Sequence, residues 1–231
     1  FFKAIEKILS YKTNIFITIN NEDYNYVKHN YPKTSLFFKI NGVGLNSKTK
    51  NFQKKSINKK EIKKILVIAA YKREKGYYDI LKVAESLKDH KFTIDCFGYG
   101  SCDKFNSIKI KKNIFNISFN KFDPDLENKI KNYDILLHLS KREGLPVAVM
   151  QSLSKGLPVV CYDIRGNNDL IKDKFNGFLI NSYKEVSNKI FFLNLEKEYL
   201  NKMRFNAFRS MNKDFFKKQI NLNIYKIIKN Y

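Results

Sequence analysis

Cysteine is scarce. Cys96, Cys102 and Cys161 make an odd count without CxxC spacing, which excludes a disulfide framework or a zinc ligand set and fits a reducing cytoplasm. Long apolar runs are missing too. The longest, Ile65 to Ala70, falls far short of the roughly 20 residues of a membrane span, and no basic stub followed by an apolar block opens the chain as a secretory leader would. Acidic residues are few, 22 against 44 Lys plus Arg in 231 residues, so the formal net charge is +22. Arginine is scarce among the cations: Arg73, Arg142, Arg165, Arg204 and Arg209 are all there are. Proteins that read bases lean on Arg for bidentate contacts to guanine. No helix-turn-helix, zinc or aromatic-glycine RNA-binding signature accompanies the charge, so nucleic acid is not expected as a partner. The lysines crowd residues 48–64, with eight Lys against Glu61 alone. They admit two readings, a solvated surface or a peripheral contact with an anionic membrane at about 1 kcal/mol per basic residue. The expected location is therefore cytoplasmic, free or at the inner face of the cell membrane.

What the chain does have is apolar mass, 43% hydrophobic and 15% aromatic, enough for one good core and part of a second. Residues 3–10 carry apolar positions at helical spacing, and Ile15 to Ile19 form a β-branched run. Asn21 to Asp23 start a second helix, and Leu36 to Ile40 read as a strand stopped by Gly42 and Gly44. The first residue is Phe1 and the pattern opens in mid-fold, so the numbering is expected to begin inside a longer protein. The lysine-rich stretch reads as a linker. From Ile65 a βαβ rhythm sets in, with strands expected at 65–70, 92–97, 114–118, 134–139, 158–162 and 177–180. Helices are expected at 76–89, from a cap at Asp123 through 131, from Gly144 to about Lys155 with Pro146 in its first turn, and across 185–229. Hydrophobicity that is continuous rather than alternating means both faces of the strands are covered, so the fold class is α/β with a doubly wound parallel sheet.

Such sheets bind ligands beyond the carboxyl ends of their strands. After the first strand come Arg73, Lys75 and Gly76, two cations at an expected helix start suited to phosphate, or else a solvated turn. Gly98 and Gly100 follow the second strand and permit close backbone approach of a ligand. They lack the third glycine of a dinucleotide fingerprint, which disfavours a nicotinamide enzyme. The fourth strand leads into Ser140, Glu143, Gly144, Leu145 and Pro146, where a carboxylate beside free N–H groups can hold sugar hydroxyls and an anion, or merely cap its own helix. Gln151 lies about a turn and a half further on. Asp163 to Asp169 form a polar loop with another cation, Arg165, and another glycine, Gly166. His138, His29 and His90 read as core or surface histidines. No metal cluster is evident, and no metal or other cofactor is expected.

The run from Ser140 through Glu143-Gly144-Leu145-Pro146 to Gln151, then Gly156 to Val160 and Asp163 to Gly166, resembles the donor-binding half of family 4 glycosyltransferases of the GT-B fold, especially bacterial members that build capsular and other surface polysaccharides. The likeness reaches back through Lys75-Gly76 and Phe97 to Gly100, to Ile17–Asp23 and Gly42–Gly44. It implies that residues 1–46 are the truncated end of a Rossmann-like acceptor-side domain, and 47–64 a basic linker. It implies that 65–210 are a Rossmann-like donor domain, and 211–231 a helix packing back on the first domain with some apolar surface left bare. The activity implied is retaining, metal-independent transfer of a sugar from a nucleotide diphosphate, a UDP-sugar, to a saccharide or polyprenyl-linked acceptor. Alternatives are a GT-B-like nucleotide-sugar epimerase and a catalytically silent nucleotide-binding fragment. On the resemblance Glu143 is the catalytic acid that meets the donor sugar. Lys75, Arg73, Gly98, Gly100, Ser140, Gly144, Leu145, Pro146 and Gln151 form the donor site. Two positions depart from the family pattern. Gln151 stands where a second Glu is usual, and Ala70 where many members carry an Arg for the diphosphate. The chain alone is expected to transfer no sugar.

Overall fold

The computed structural model describes residues 2–32, 35–46 and 62–230; all of the lysine-rich segment except residues 62–64 lies outside them. Helix α1 (Phe2–Ser10), strand β1 (Ile15–Thr18), helix α2 (Asn21–Asn30) and strand β2 (Leu36–Lys39) form a small opening piece. In it β1 pairs in parallel with β2 from Ile15 opposite Leu36 to Thr18 opposite Lys39. Asn20 caps α2 by accepting the Asp23 N–H at 2.8 Å, which satisfies one of the free donors of the first turn.

The rest is built on strands β3 (Lys64–Ile68), β4 (Thr93–Gly98), β5 (Ile117–Lys121), β6 (Ile135–His138), β7 (Val159–Tyr162) and β8 (Gly177–Ile180). They stand in the order β5-β4-β3-β6-β7-β8, with every pairing parallel. Between and after them run α3 (Tyr77–Ser86), α4 (Asp103–Lys111), α5 (Leu126–Lys129), α6 (Val147–Ser154), α7 (Asn167–Leu170), α8 (Val186–Leu195), α9 (Lys197–Ser210) and α10 (Lys217–Lys229). The alternation of side chains along a strand explains the continuous hydrophobicity. Ile65, Val67, Ile135 and Leu137 enter a core shared with Ile80, Ala84 and Ile190. Leu66 and Leu136 enter the opposite one, with Val149, Leu153 and Ala207. The chain winds outward from β3 to β5 and then returns to lay β6 on the other side of β3. The order therefore reverses between β3 and β6, and the crevice of such a sheet opens there.

Four local expectations shift. Strand β5, expected from 114, begins at Ile117, because Ile114 closes the end of α4: its N–H bonds the Lys109 carbonyl after a left-handed Asn113, and its side chain is wholly buried. Asp123 caps no helix. Its carboxylate takes the Asp125 N–H at 2.9 Å and Lys129 Nζ at 2.6 Å, and the helix starts only at Leu126. Pro146 precedes α6 in extended conformation (φ −73°, ψ 119°) instead of lying in its first turn. A 3₁₀ turn, Arg73–Lys75, intervenes before α3, which starts at Tyr77.

The chain's end returns to the opening piece. The Leu45 N–H donates to the Phe215 carbonyl at 2.9 Å and the Lys217 N–H to the Leu45 carbonyl at 3.0 Å, so the start of α10 is stitched beside Gly44. Ile8 and Leu9 on α1 and Leu222, Tyr225 and Ile228 on α10 are exposed.

Candidate functional site

Three loops meet where the strand order reverses. The turn after β3 presses onto the end of β6, because Gly76 has no side chain: a Cβ there would lie 1.9 Å from the Leu139 carbonyl oxygen, and its φ of +78° favours glycine. The Lys141 N–H then donates to the Glu74 carbonyl at 2.8 Å. This contact carries Lys75 across the switch point, and its Nζ donates to Glu143 Oε1 at 2.7 Å. The lysine read as a cation at a helix start is thus the partner of the acid that follows β6. Glu143 does not cap its own helix; no side chain caps α6.

The same carboxylate oxygen lies 3.2 Å from His138 Nε2. His138 ends β6 and is only 4% exposed. It is more than a core histidine, and the signal for it was its place as the last residue of a strand at the switch point. Burial raises the Glu143 carboxyl, but its contacts with His138 and Lys75, and a smaller one with Ser140, outweigh it and bring it down from the ordinary 4.5 to about 2. A depressed carboxyl contributes stability that is present above pH 4.5 and is lost as the pH falls through 2. Urea unfolding should therefore show the gap between wild type and Glu143→Gln closing over that window; a gap independent of pH would disprove the pairing.

The glycines have structural reasons of their own. A Cβ on Gly98 would lie 1.9 Å from the Ala69 carbonyl oxygen of the adjacent β3 end, whereas one on Gly100, at φ +96°, would make only an ordinary contact with Tyr71 Cβ at 3.8 Å, and the residue is exposed. Gly98 is thus required by sheet packing, and Gly100 leaves backbone accessible. The Tyr71 N–H donates to the Tyr99 carbonyl at 2.8 Å, which joins this loop to the one carrying Lys75. Ser140 Oγ donates to the Arg142 carbonyl at 3.2 Å and steadies the loop that leads to Glu143. Gly144, Leu145 and Pro146 form the approach to α6, and Gln151 lies half-buried on that helix. Arg73 stands apart from this group. It lines a neighbouring cleft of about 850 Å³ with Glu74, Asp79, Lys82, Lys104 and Lys141.

Residues 47–210 match the family model described as Glycosyl transferases group 1, more than two thirds of the chain and including every loop just described. The chain belongs to the group 1 glycosyl transferases. Among its relatives, a 41.2 kDa protein of the Klebsiella pneumoniae cps region is 28% identical over 221 residues, 89% of this chain and 60% of that protein. The glycosyltransferase EpsD of Bacillus subtilis, described as putative, is 28% identical over 191 residues, 76% of this chain and 50% of its own length. The chain thus spans 50–60% of these relatives. The solved structure of a mutant of S. aureus TarM with fondaparinux, α-GlcNAc-glycerol and UDP superposes with a TM-score of 0.80 at 21% identity, over 97% of this chain and 45% of that one. In this group 1 glycosyl transferase the parallel six-stranded sheet is one Rossmann-like unit of the GT-B fold. Among the described residues no helix is long and apolar enough to cross a membrane.

Proposed function

We propose that this chain is the donor-binding part of a retaining glycosyltransferase that takes a sugar from a UDP-sugar and passes it to a saccharide or polyprenyl-linked acceptor in surface polysaccharide synthesis. The observation that carries the proposal is the Lys75–Glu143 pair at the strand-order reversal, 2.7 Å across. Breaking a glycosidic bond to a diphosphate builds positive charge on the sugar ring and negative charge on the departing phosphates. A preorganised cation and carboxylate lower the barrier when each faces the charge of opposite sign. Glu143 is held ionised for the sugar, while Lys75 and the amide groups before α6 take the diphosphate, with no metal required for the step. Gln151 offers its carbonyl oxygen to ribose hydroxyls in place of a carboxylate. The uridine nucleotide is supported by the UDP in the superposed TarM structure, and the polysaccharide role by the cps-region relative. The lysine excess gives the protein an electrostatic pull toward anionic head groups.

Calorimetric titration with UDP tests the proposal: saturable heat is expected, and none at millimolar ligand would overturn it. Lys75→Ala should weaken UDP binding by about 1.5–3 kcal/mol, the value of a hydrogen bond to a charged group, since Ala70 supplies no second cation. Unchanged affinity in that variant would place the phosphates elsewhere.

A further inference from the structure

The backbone that leads from Glu143 into α6 is gripped from one side. Arg165 Nε donates to the Glu143 carbonyl at 3.1 Å, and Asn20 Nδ2 donates to the Gly144 carbonyl at 3.2 Å. In a planar trans peptide the carbonyl of one residue and the N–H of the next point in opposite directions. Holding these two carbonyls therefore turns the N–H groups of Gly144 and Leu145 to the far side. Among the described residues neither N–H meets an acceptor.

The grip is a closed ring. Arg165 Nη1 donates to Asp23 Oδ1 at 2.8 Å, and Asn20 Nδ2 donates to Asp23 Oδ2 at 2.7 Å. Asn20 is fully buried. Gly166, at φ +81°, presses the Arg165 loop onto the same backbone, since a Cβ there would lie 2.3 Å from the Gly144 carbonyl oxygen. The Asn21 N–H donates to Asp169 Oδ1 at 2.9 Å and seats α2 on the same loop. Arginine suits the task because its planar fork reaches a carbonyl and a carboxylate at once, which a lysine ammonium on a flexible stem does not reproduce.

We infer that Arg165, with Asn20 and Asp23 of the opening piece, is a positioning residue that aims the Gly144 and Leu145 N–H groups at the donor diphosphate. The inference rests on the proposed donor site. It makes phosphate binding depend on residues 20–23 as well as on the loops of the large sheet, so seating of the opening piece and capture of the diphosphate are coupled.

The test compares UDP with uridine, which lacks the phosphates, on wild type and Arg165→Lys, each by calorimetry with the thermal midpoint as a control. Arg165→Lys keeps a cation for Asp23 and loses the carbonyl bond. UDP affinity should fall by about tenfold, the loss of one hydrogen bond to a charged group, with uridine affinity and thermal midpoint unchanged. An equal loss for both ligands would reduce Arg165 to a structural brace, and undiminished UDP affinity would overturn the inference. Should Arg165→Lys not fold, Asp23→Asn makes the same comparison, with UDP affinity down about threefold from the lost charge and uridine unaffected. Wild type that binds no UDP would instead sink the donor-site proposal, before either variant is measured.

Discussion

Glu143→Gln in the proposed glycosyltransferase is expected to lower turnover by roughly a hundred- to a thousandfold, the effect of removing one group that stabilises transition-state charge. Glutamine is the right probe because Glu143 is not an open-rim carboxylate. It is 12% exposed and holds both Lys75 and His138. Alanine would strand those two groups in a partly buried site and mix a folding loss with a catalytic one. Glutamine retains the volume and one oxygen for Lys75, so the thermal midpoint should move by only a few degrees while turnover collapses. The measurement is initial-rate kinetics with radiolabelled donor beside calorimetric melting. Matching losses in both, or turnover within a fewfold of wild type, would show that Glu143 holds the loops together and does not act on the sugar.

Arg204→Ala is expected to cost about 3–5 kcal/mol of stability, the range for stripping one partner from a buried ion pair. Arg204 on α9 and Asp134 before β6 are both buried, with Nη2 3.6 Å from Oδ1. The same nitrogen donates to the Asp134 carbonyl at 3.0 Å, and Asp134 Oδ2 accepts the Lys63 and Lys64 N–H groups at 2.9 Å each. One arginine thus ties the helical tail to the amino ends of β3 and β6. Burial lowers the Arg204 pKa and the Asp134 charge opposes it. Urea unfolding should show a lower midpoint with the slope retained. A loss under about 1 kcal/mol would mean that water reaches Asp134 once the arginine is gone. Because the pair sits at the end of the sheet opposite Glu143, UDP affinity of the folded variant should be unchanged.

The strands were legible because both faces of the sheet are buried, so runs such as Ile65 to Ile68 and Ile135 to Leu137 are apolar without interruption. Local signals misled where tertiary contacts outrank them. Ile114 looked like strand because it is β-branched and apolar, yet it closes a helix, since the core took its side chain without needing its backbone in the ladder. Asp123 looked like a cap because carboxylates cap helices, but a turn at Asp125 and the charge of Lys129 used it first.

By itself the sequence determined the class of fold, the parallel rhythm and the loops in which to look, since periodicity and glycine or proline punctuation are local and survive in one dimension. Glu143, Lys75, Gly144 and Gln151 stood out there through their motif. Only the tertiary structure decided who meets whom. Lys75 finds Glu143 across 68 positions, Arg165 finds Asp23 across 142, and His138 passes from an apolar strand into a charged cluster. Those partnerships follow from the order in which the strands are laid beside one another, with β6 returning to β3. Such an order arises from burying two cores at once, and no spacing along the chain records it.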